Sequence, residues 1–273
     1  MNGGDKQSIV DTEGGGVPKR SPGSLVTLLN GEVDPAECTG ILAAFCFMTG
    51  FIDAISFSAV FVWCGFQTGN FIQLAVALAR LWEPAQQPRT FHKPDQQALA
   101  SLLAFNVGAF IGRLGDHIGA RRRSWLVGGS FLTALMTMAA ALAIWRSGQD
   151  GDPIASSRGD PAWTNAETFV ALCFMSASLG VQGIMGKRLN TQFGTTIVLT
   201  TIWVELMADP RLFRFRERVK TRDHRLIGAG SLFLGGFISR ALLAKIGAAG
   251  TLGIGTGIRV LITLGWFFVP GKL

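Results

Sequence analysis

The chain has 273 residues, of which 48% are hydrophobic and 16% charged, and its mean hydropathy is positive. That balance excludes an ordinary soluble domain, in which about a quarter of the residues carry charge. The formal net charge of +7 does not point to nucleic acid either. Its basic residues lie in short stretches between apolar runs, where positive-inside bias places them.

The first 40 residues are polar and glycine-rich. They lack a basic stretch followed by an apolar one, so they predict a disordered tail and not a signal peptide. The first membrane segment then serves as the insertion signal. Eight apolar segments follow, at 41–63, 66–81, 98–118, 125–145, 166–185, 194–208, 226–246 and 250–269. The run 125–145 holds 21 residues and no charge, and about 20 suffice to cross the hydrocarbon core as a helix. Trp63, Trp82, Trp125, Trp145 and Trp163 fall at or near segment ends, which predicts an interfacial belt.

The sequence repeats. Phe47-Met48-Thr49 recurs as Phe174-Met175-Ser176, and Gly108-Ala109-Phe110-Ile111-Gly112-Arg113 as Gly235-Gly236-Phe237-Ile238-Ser239-Arg240, both at an offset of 127. The predicted organisation is a tail (1–40), a first membrane repeat (41–146), an acidic extramembrane loop (147–165) and a second membrane repeat (166–273). The second segment of each copy is short.

Charge then decides topology. Were all eight segments to cross, Arg121-Arg122-Arg123 and the loop carrying Arg211, Arg214, Arg216, Arg218, Lys220, Arg222 and Arg225 would face opposite sides. Six crossings plus two short re-entrant segments bring these residues, Lys187-Arg188 and both termini to one side, the cytoplasmic side of a plasma membrane. Three crossings per copy is an odd number, so the two copies are inverted. Inverted repeats with broken helices are a transporter feature. Eight full crossings is the alternative. The expected class is an all-α polytopic helical membrane protein.

Several polar residues stand out in the apolar runs. Thr49, Asp53 and Ser56 form one helical stripe, and an ionisable residue within a membrane span is a functional candidate. The other reading is a structural hydrogen-bonded seam. Thr68-Gly69-Asn70 interrupts the next run, with Gln73 one turn on. Asn and Thr there satisfy backbone groups freed by a broken helix or face a solute, or mark an ordinary turn. Thr195-Thr196 and Thr200-Thr201 are the counterparts in the second copy. Asn106, Arg113 and His117 share one face of the third segment. Gly108, Gly112, Gly115 and Gly119 share roughly the opposite face, suited to close helix packing and to a homo-oligomer. Arg113 and Arg240 pair with Asp53, bind an anion or snorkel to headgroups. Arg259 lies deeper and has no counterpart. The run 214–220 reads as a loop touching anionic lipid.

Gly50-Phe51-Ile52-Asp53-Ala54-Ile55-Ser56-Phe57, followed by Gln67-Thr68-Gly69-Asn70, resembles the YoaK-like family of multi-pass membrane proteins, a domain of unknown function. In the second half Gly180-Val181-Gln182-Gly183 has Gly where the family carries Asn, and Thr200-Thr201 has Thr where it carries Gly. The resemblance covers residues 41–208 and continues more thinly to 269. It implies an integral membrane protein and supplies no established activity.

The expected function is a transporter or channel for a small solute, with a site drawn from Asp53, Thr68, Gly69, Asn70, Arg113, Gln182 and Thr200. A protonatable Asp53 would couple it to protons. The alternative is a non-transporting assembly or lipid-interacting module. No enzyme is expected, because no nucleophile is paired with a base. No cofactor or metal is expected, because His92, His117 and His224 are scattered and Cys38, Cys46, Cys64 and Cys173 lack zinc spacing. The expected partners are the lipid bilayer and the solute.

Overall fold

A computed structural model describes residues 25–83, 91–150, 162–189, 191, 199–214, 216–217 and 219–272. Among these residues the structure is helical, with α1 (Leu25–Asn30), α2 (Thr39–Val60), α3 (Gln67–Arg80), α4 (Lys93–Gly112), α5 (Leu114–Ile118), α6 (Arg123–Ser147), α7 (Ala166–Leu189), α8 (Leu199–Met207) and α9 (Lys220–Gly265). A single 3-10 turn, Pro35–Glu37, precedes α2.

Local signals set several boundaries. Pro94 lies in the first turn of α4, where a missing N–H costs nothing. Gly148 takes the left-handed conformation that closes α6. Asn165 Oδ1 accepts the Thr168 N–H at the start of α7. α9 has 46 residues, about 69 Å if straight, and it is not straight. Gly247 breaks it with φ of 73°. The Asp150 side chain then accepts the Ala249 N–H at 2.6 Å, satisfying a donor freed by the break.

The contacts sort the helix ends into two groups. At one end, here the near end, residues around Glu32 and Val33 pair with Arg122 and Gly271. The buried Arg123 guanidinium donates to the carbonyls of Leu28, Trp266 and Val269. Thr39 meets His224, and Arg188 pairs with Asp116. At the far end Ala162 N–H donates to Ala59 O, Gln97 to Trp163 O, and Asn165 to Ser147 O. α9 therefore runs from the near end to the far end, turns at Gly247 and comes back. Of the predicted tail, residues 1–24 lie outside the described residues. Residues 25–38 form α1, the 3-10 turn and the near-end pairings.

Among the described residues five helices are long and apolar enough to cross a membrane: Thr39–Val60, Lys93–Ile118, Arg123–Ser147, Ala166–Leu189 and Lys220–Gly265. Phe71, Phe110, Leu135, Phe233, Phe237, Leu261 and Phe268 point outward from the bundle. Such a coat is costly in water and suited to lipid. This is the pattern of a multi-pass membrane protein.

Packing crosses between the two halves of the sequence. α2 lies on α9, and α4 lies on α7. A β-carbon at Gly50 would fall on the Leu232 carbonyl, and one at Gly235 on the Phe47 carbonyl. A β-carbon at Gly180 would fall on the Phe105 carbonyl, and one at Gly108 on the Ala177 carbonyl. Phe105 and Leu232 are related by the same offset of 127 as Gly108 and Gly235. The two contacts are therefore versions of one contact, built from small residues that let backbones touch. Gly112 meets Ile184 and Gly115 meets the Trp125 indole, so these glycines of α4–α5 are packed against neighbours within the chain.

The tryptophan belt needs correction. Trp82 and Trp145 are exposed, but Trp125 and Trp163 are buried, with Trp163 only 1% accessible. Their position at segment ends reflects packing at the ends of the bundle.

These contacts predict opposite outcomes for two neighbouring glycines. Gly235→Ala should lower the melting temperature of the detergent-solubilised protein, at a cost of about 1–3 kcal/mol from overpacking. Gly230→Ala, where a β-carbon meets open space, should be neutral or stabilising by up to about 1 kcal/mol. Equal melting temperatures for the two variants would show that the helices do not approach as described.

Candidate functional site

α2 ends at Val60, and Phe61 caps it in the left-handed region with φ of 56°. That conformation is uncommon for a residue with a bulky side chain. Ring packing holds it. Phe57 meets Phe61 edge-on at 5.7 Å and stacks on Trp63 at 4.1 Å, and Trp63 meets Phe66 at 5.6 Å. The chain then turns back into the bundle. Gly65 N–H donates to Asp53 Oδ1 at 2.8 Å, although Asp53 lies two turns inside α2. A return of roughly 10 Å from the helix end is implied. No side chain fits at Gly65, because a β-carbon there would lie 2.9 Å from Asp53 Oδ2 and 3.1 Å from Thr49.

Asn70 holds this reversal. Its amide donates to Trp63 O at 2.6 Å and accepts the Trp63 N–H at 3.3 Å. It also donates to Gln67 Oε1 and Ser101 Oγ. Gln67 donates to Cys64 O at 2.7 Å. Backbone groups released by the break are thus satisfied by amide side chains from the first turn of α3, as an apolar surround requires.

From there a polar seam runs inward. Ser101 on α4 meets Ser176 on α7 at 2.8 Å. One and a half turns further along α7, Gln182 donates to Thr49 Oγ1 at 3.0 Å and Phe45 O at 2.9 Å on α2. Ser178, between them, accepts from Arg259 Nη2 at 3.2 Å on the second arm of α9. Asp53, Gln182 and Arg259 are each at most 1% accessible. Asp53 Oδ2, Gln182 Oε1 and Arg259 Nε are buried with no hydrogen-bond partner among the described residues. A buried polar atom without a partner costs about 1–3 kcal/mol, so three in one seam call for a reason.

The structure brings together Asp53, Asn70 and Gln182 from the sequence-derived set. Thr68 and Gly69 sit beside them in sequence but are exposed on α3. Arg113 is not part of the seam. It is exposed at the end of α4 with its guanidinium over the Phe110 ring at 5.5 Å. Asn106 and His117, on the same face, are also exposed. Thr200 is exposed on α8, whose Glu205 pairs with Arg225 near the start of α9. Thr195 and Thr196 lie outside the described residues. Ser101, Ser176 and Ser178 complete the seam, although serine in an apolar run is too common a signal to single out.

At the near end, outside the spans, burial pushes the Cys38 thiol up to about 12, with the Asp34 and Glu37 carboxylates adding to the shift. It stays protonated at neutral pH and is a poor nucleophile. Among the described residues no group of three or more His, Cys, Asp or Glu is placed to hold a metal ion.

The family model described as "Protein of unknown function (DUF1275)" matches residues 41–265. The chain belongs to this family. The matched span takes in the reversal, the seam and both close helix contacts, and leaves out most of the near-end strap before α2. No curated protein and no solved structure matches the chain.

Removal of the Asn70 amide isolates its role. Asn70→Ala removes the acceptor of the Trp63 N–H and one donor to its carbonyl, which Gln67 and Ser101 still reach, and should destabilise the protein by about 1–3 kcal/mol. Thermal unfolding in detergent measures it. A variant as stable as the parent would mean that Asn70 does not hold the turn.

Proposed function

We propose that this protein is a transporter or channel for a small solute, with its polar site in the seam around Asp53. One observation carries the reading. The chain breaks after α2, returns to the depth of Asp53 and places a backbone N–H on one carboxyl oxygen while the other has no partner. Irregular backbone at membrane depth is tolerated where it is buried in protein or lines a water-filled path. Intramembrane ionisable groups mark such paths.

The same reading takes the chain across the bilayer six times, with α9 counted twice because of Gly247. α3 leaves the depth of Asp53 and ends beside Asp95, which its Arg80 pairs with at 2.7 Å close to the start of α4. That makes it a re-entrant segment from the far end. α8, beside the start of α9, is its counterpart from the near end. The matched glycine contacts support an inverted duplication, and the motif likeness to YoaK-like proteins supports the assignment of the broken segment. Positive-inside bias puts the near end in the cytoplasm of a plasma-membrane protein, because Arg121, Arg122, Lys187 and Arg188 lie there. No step of this reading is catalytic.

Two measurements test it. Purified protein in liposomes, screened for uptake of labelled amino acids, organic acids, sugars and inorganic ions, should move at least one class. Asp53→Asn should reduce that flux by about tenfold or more, the effect of losing a charged hydrogen bond. Silence across the panel, together with a constant co-purifying protein, would favour an assembly role. For topology, single cysteines replacing Trp82 and Thr164 should label from the same side, opposite to one replacing Glu32. Labelling of Trp82→Cys with Glu32→Cys would make α3 a crossing helix.

A further inference from the structure

Among the described residues three arginines are buried, Arg123, Arg222 and Arg259. The chain satisfies two of them fully. Arg123 donates through Nε, Nη1 and Nη2 to three carbonyls. Arg222 donates to the Asp223 carboxylate and to the carbonyls of Arg211, Arg214 and Glu217. Arg259 is different. It is the most deeply buried of the three, in the half of the bundle where α2, α7 and the second arm of α9 meet. Among the described residues its hydrogen-bond partner is the Ser178 hydroxyl, and its Nε has none. Among the described residues no carboxylate pairs with it.

The neighbouring polar groups do not supply the missing charge. Thr256 and Thr263 donate their hydroxyls to helix carbonyls, at Leu252 and at Arg259 itself, and Ser178 donates to Met175 O. Gly255, one turn before Arg259, brings α9 against Phe51 and Met48 of α2, so the surround on that side is apolar. A guanidinium cannot shed its proton in a protein. Burying it without an anion is strongly unfavourable. A planar donor set with one ligand already in place is also the geometry that recognises carboxylates and other small oxyanions.

We propose that Arg259, with Ser178, is an anion-binding site at the centre of the seam, taking a small monovalent anion of the halide or carboxylate class. The site deepens the transport reading, since its role as a solute site rests on that reading. It is tested by binding, so the two can fail separately.

The experiment is a thermal-unfolding titration of the full chain in detergent. Sodium chloride, formate, acetate and nitrate are each exchanged against sodium gluconate at constant ionic strength. At least one should raise the melting temperature saturably. Arg259→Met should abolish the saturable rise. Arg259→Lys, which keeps the charge and loses the fork, should retain it with affinity about tenfold weaker. No saturable rise in the parent protein would overturn the proposal, as would an equal rise in Arg259→Met. Should Arg259→Met fail to fold, the parent titration and the Arg259→Lys shift decide, and an unshifted Arg259→Lys would count against the site. Saturable binding without anion flux in liposomes would leave the anion site standing and remove the transport role.

Discussion

Backbone contact between helices of opposite halves is the constraint on which this structure depends. In lipid the surround is as apolar as the side chains, so burial of leucine and phenylalanine does not drive helices together. Close van der Waals contact does. Gly50 and Gly235 permit it between α2 and α9, and Gly108 and Gly180 between α4 and α7. Each half of the sequence thereby packs on the other: α2 lies on α9, and α7 lies on α4. The two contacts leave α2 and α7 side by side, joined by Gln182 and Thr49.

That arrangement fixes where polar groups can go. The outer faces carry phenylalanine and leucine, and many of the buried amides, hydroxyls and charges of the spans lie between α2, α4, α7 and the second arm of α9, while Ser130, Thr133 and Thr137 are buried on α6 and Ser239 on the first arm of α9. There the chain reversal after Phe61 adds backbone polar groups of its own. Asn70 and Gln67 neutralise most of them. What remains is uneven: an acid held by one backbone N–H, and an arginine held by one hydroxyl. Among the described residues no ion pair joins these two groups, and the transport and anion-binding proposals rest on that.

The near end has the opposite character. Arg123 ties the segment before α2, the start of α6 and the chain after α9 through three carbonyls. Composition hid this. A polar, glycine-rich stretch reads as disorder, and residues 25–38 were grouped with it. The Leu28 carbonyl among them is held by a buried arginine 95 residues on in the chain, a pairing that no local pattern announces.

Hydropathy and segment length made the class legible: a helical chain with several helices long and apolar enough to cross a membrane. The reason is that lipid imposes a length and a composition on any helix that crosses it. Local chemistry was partly legible: Gly247 falls between the last two predicted segments, and satisfying the backbone of a broken helix is one of the roles the sequence offers for Asn70, beside a solute contact and an ordinary turn. Facing was not legible. Arg113 and Arg259 are the same residue in similar apolar runs, yet one lies outside against Phe110 and the other lies in the core. Trp145 and Trp163 flank the same loop, and one is exposed while the other is buried. A helix with little hydrophobic asymmetry carries no mark of which side meets lipid. Tertiary contact decides it, through the glycines that set which backbones touch.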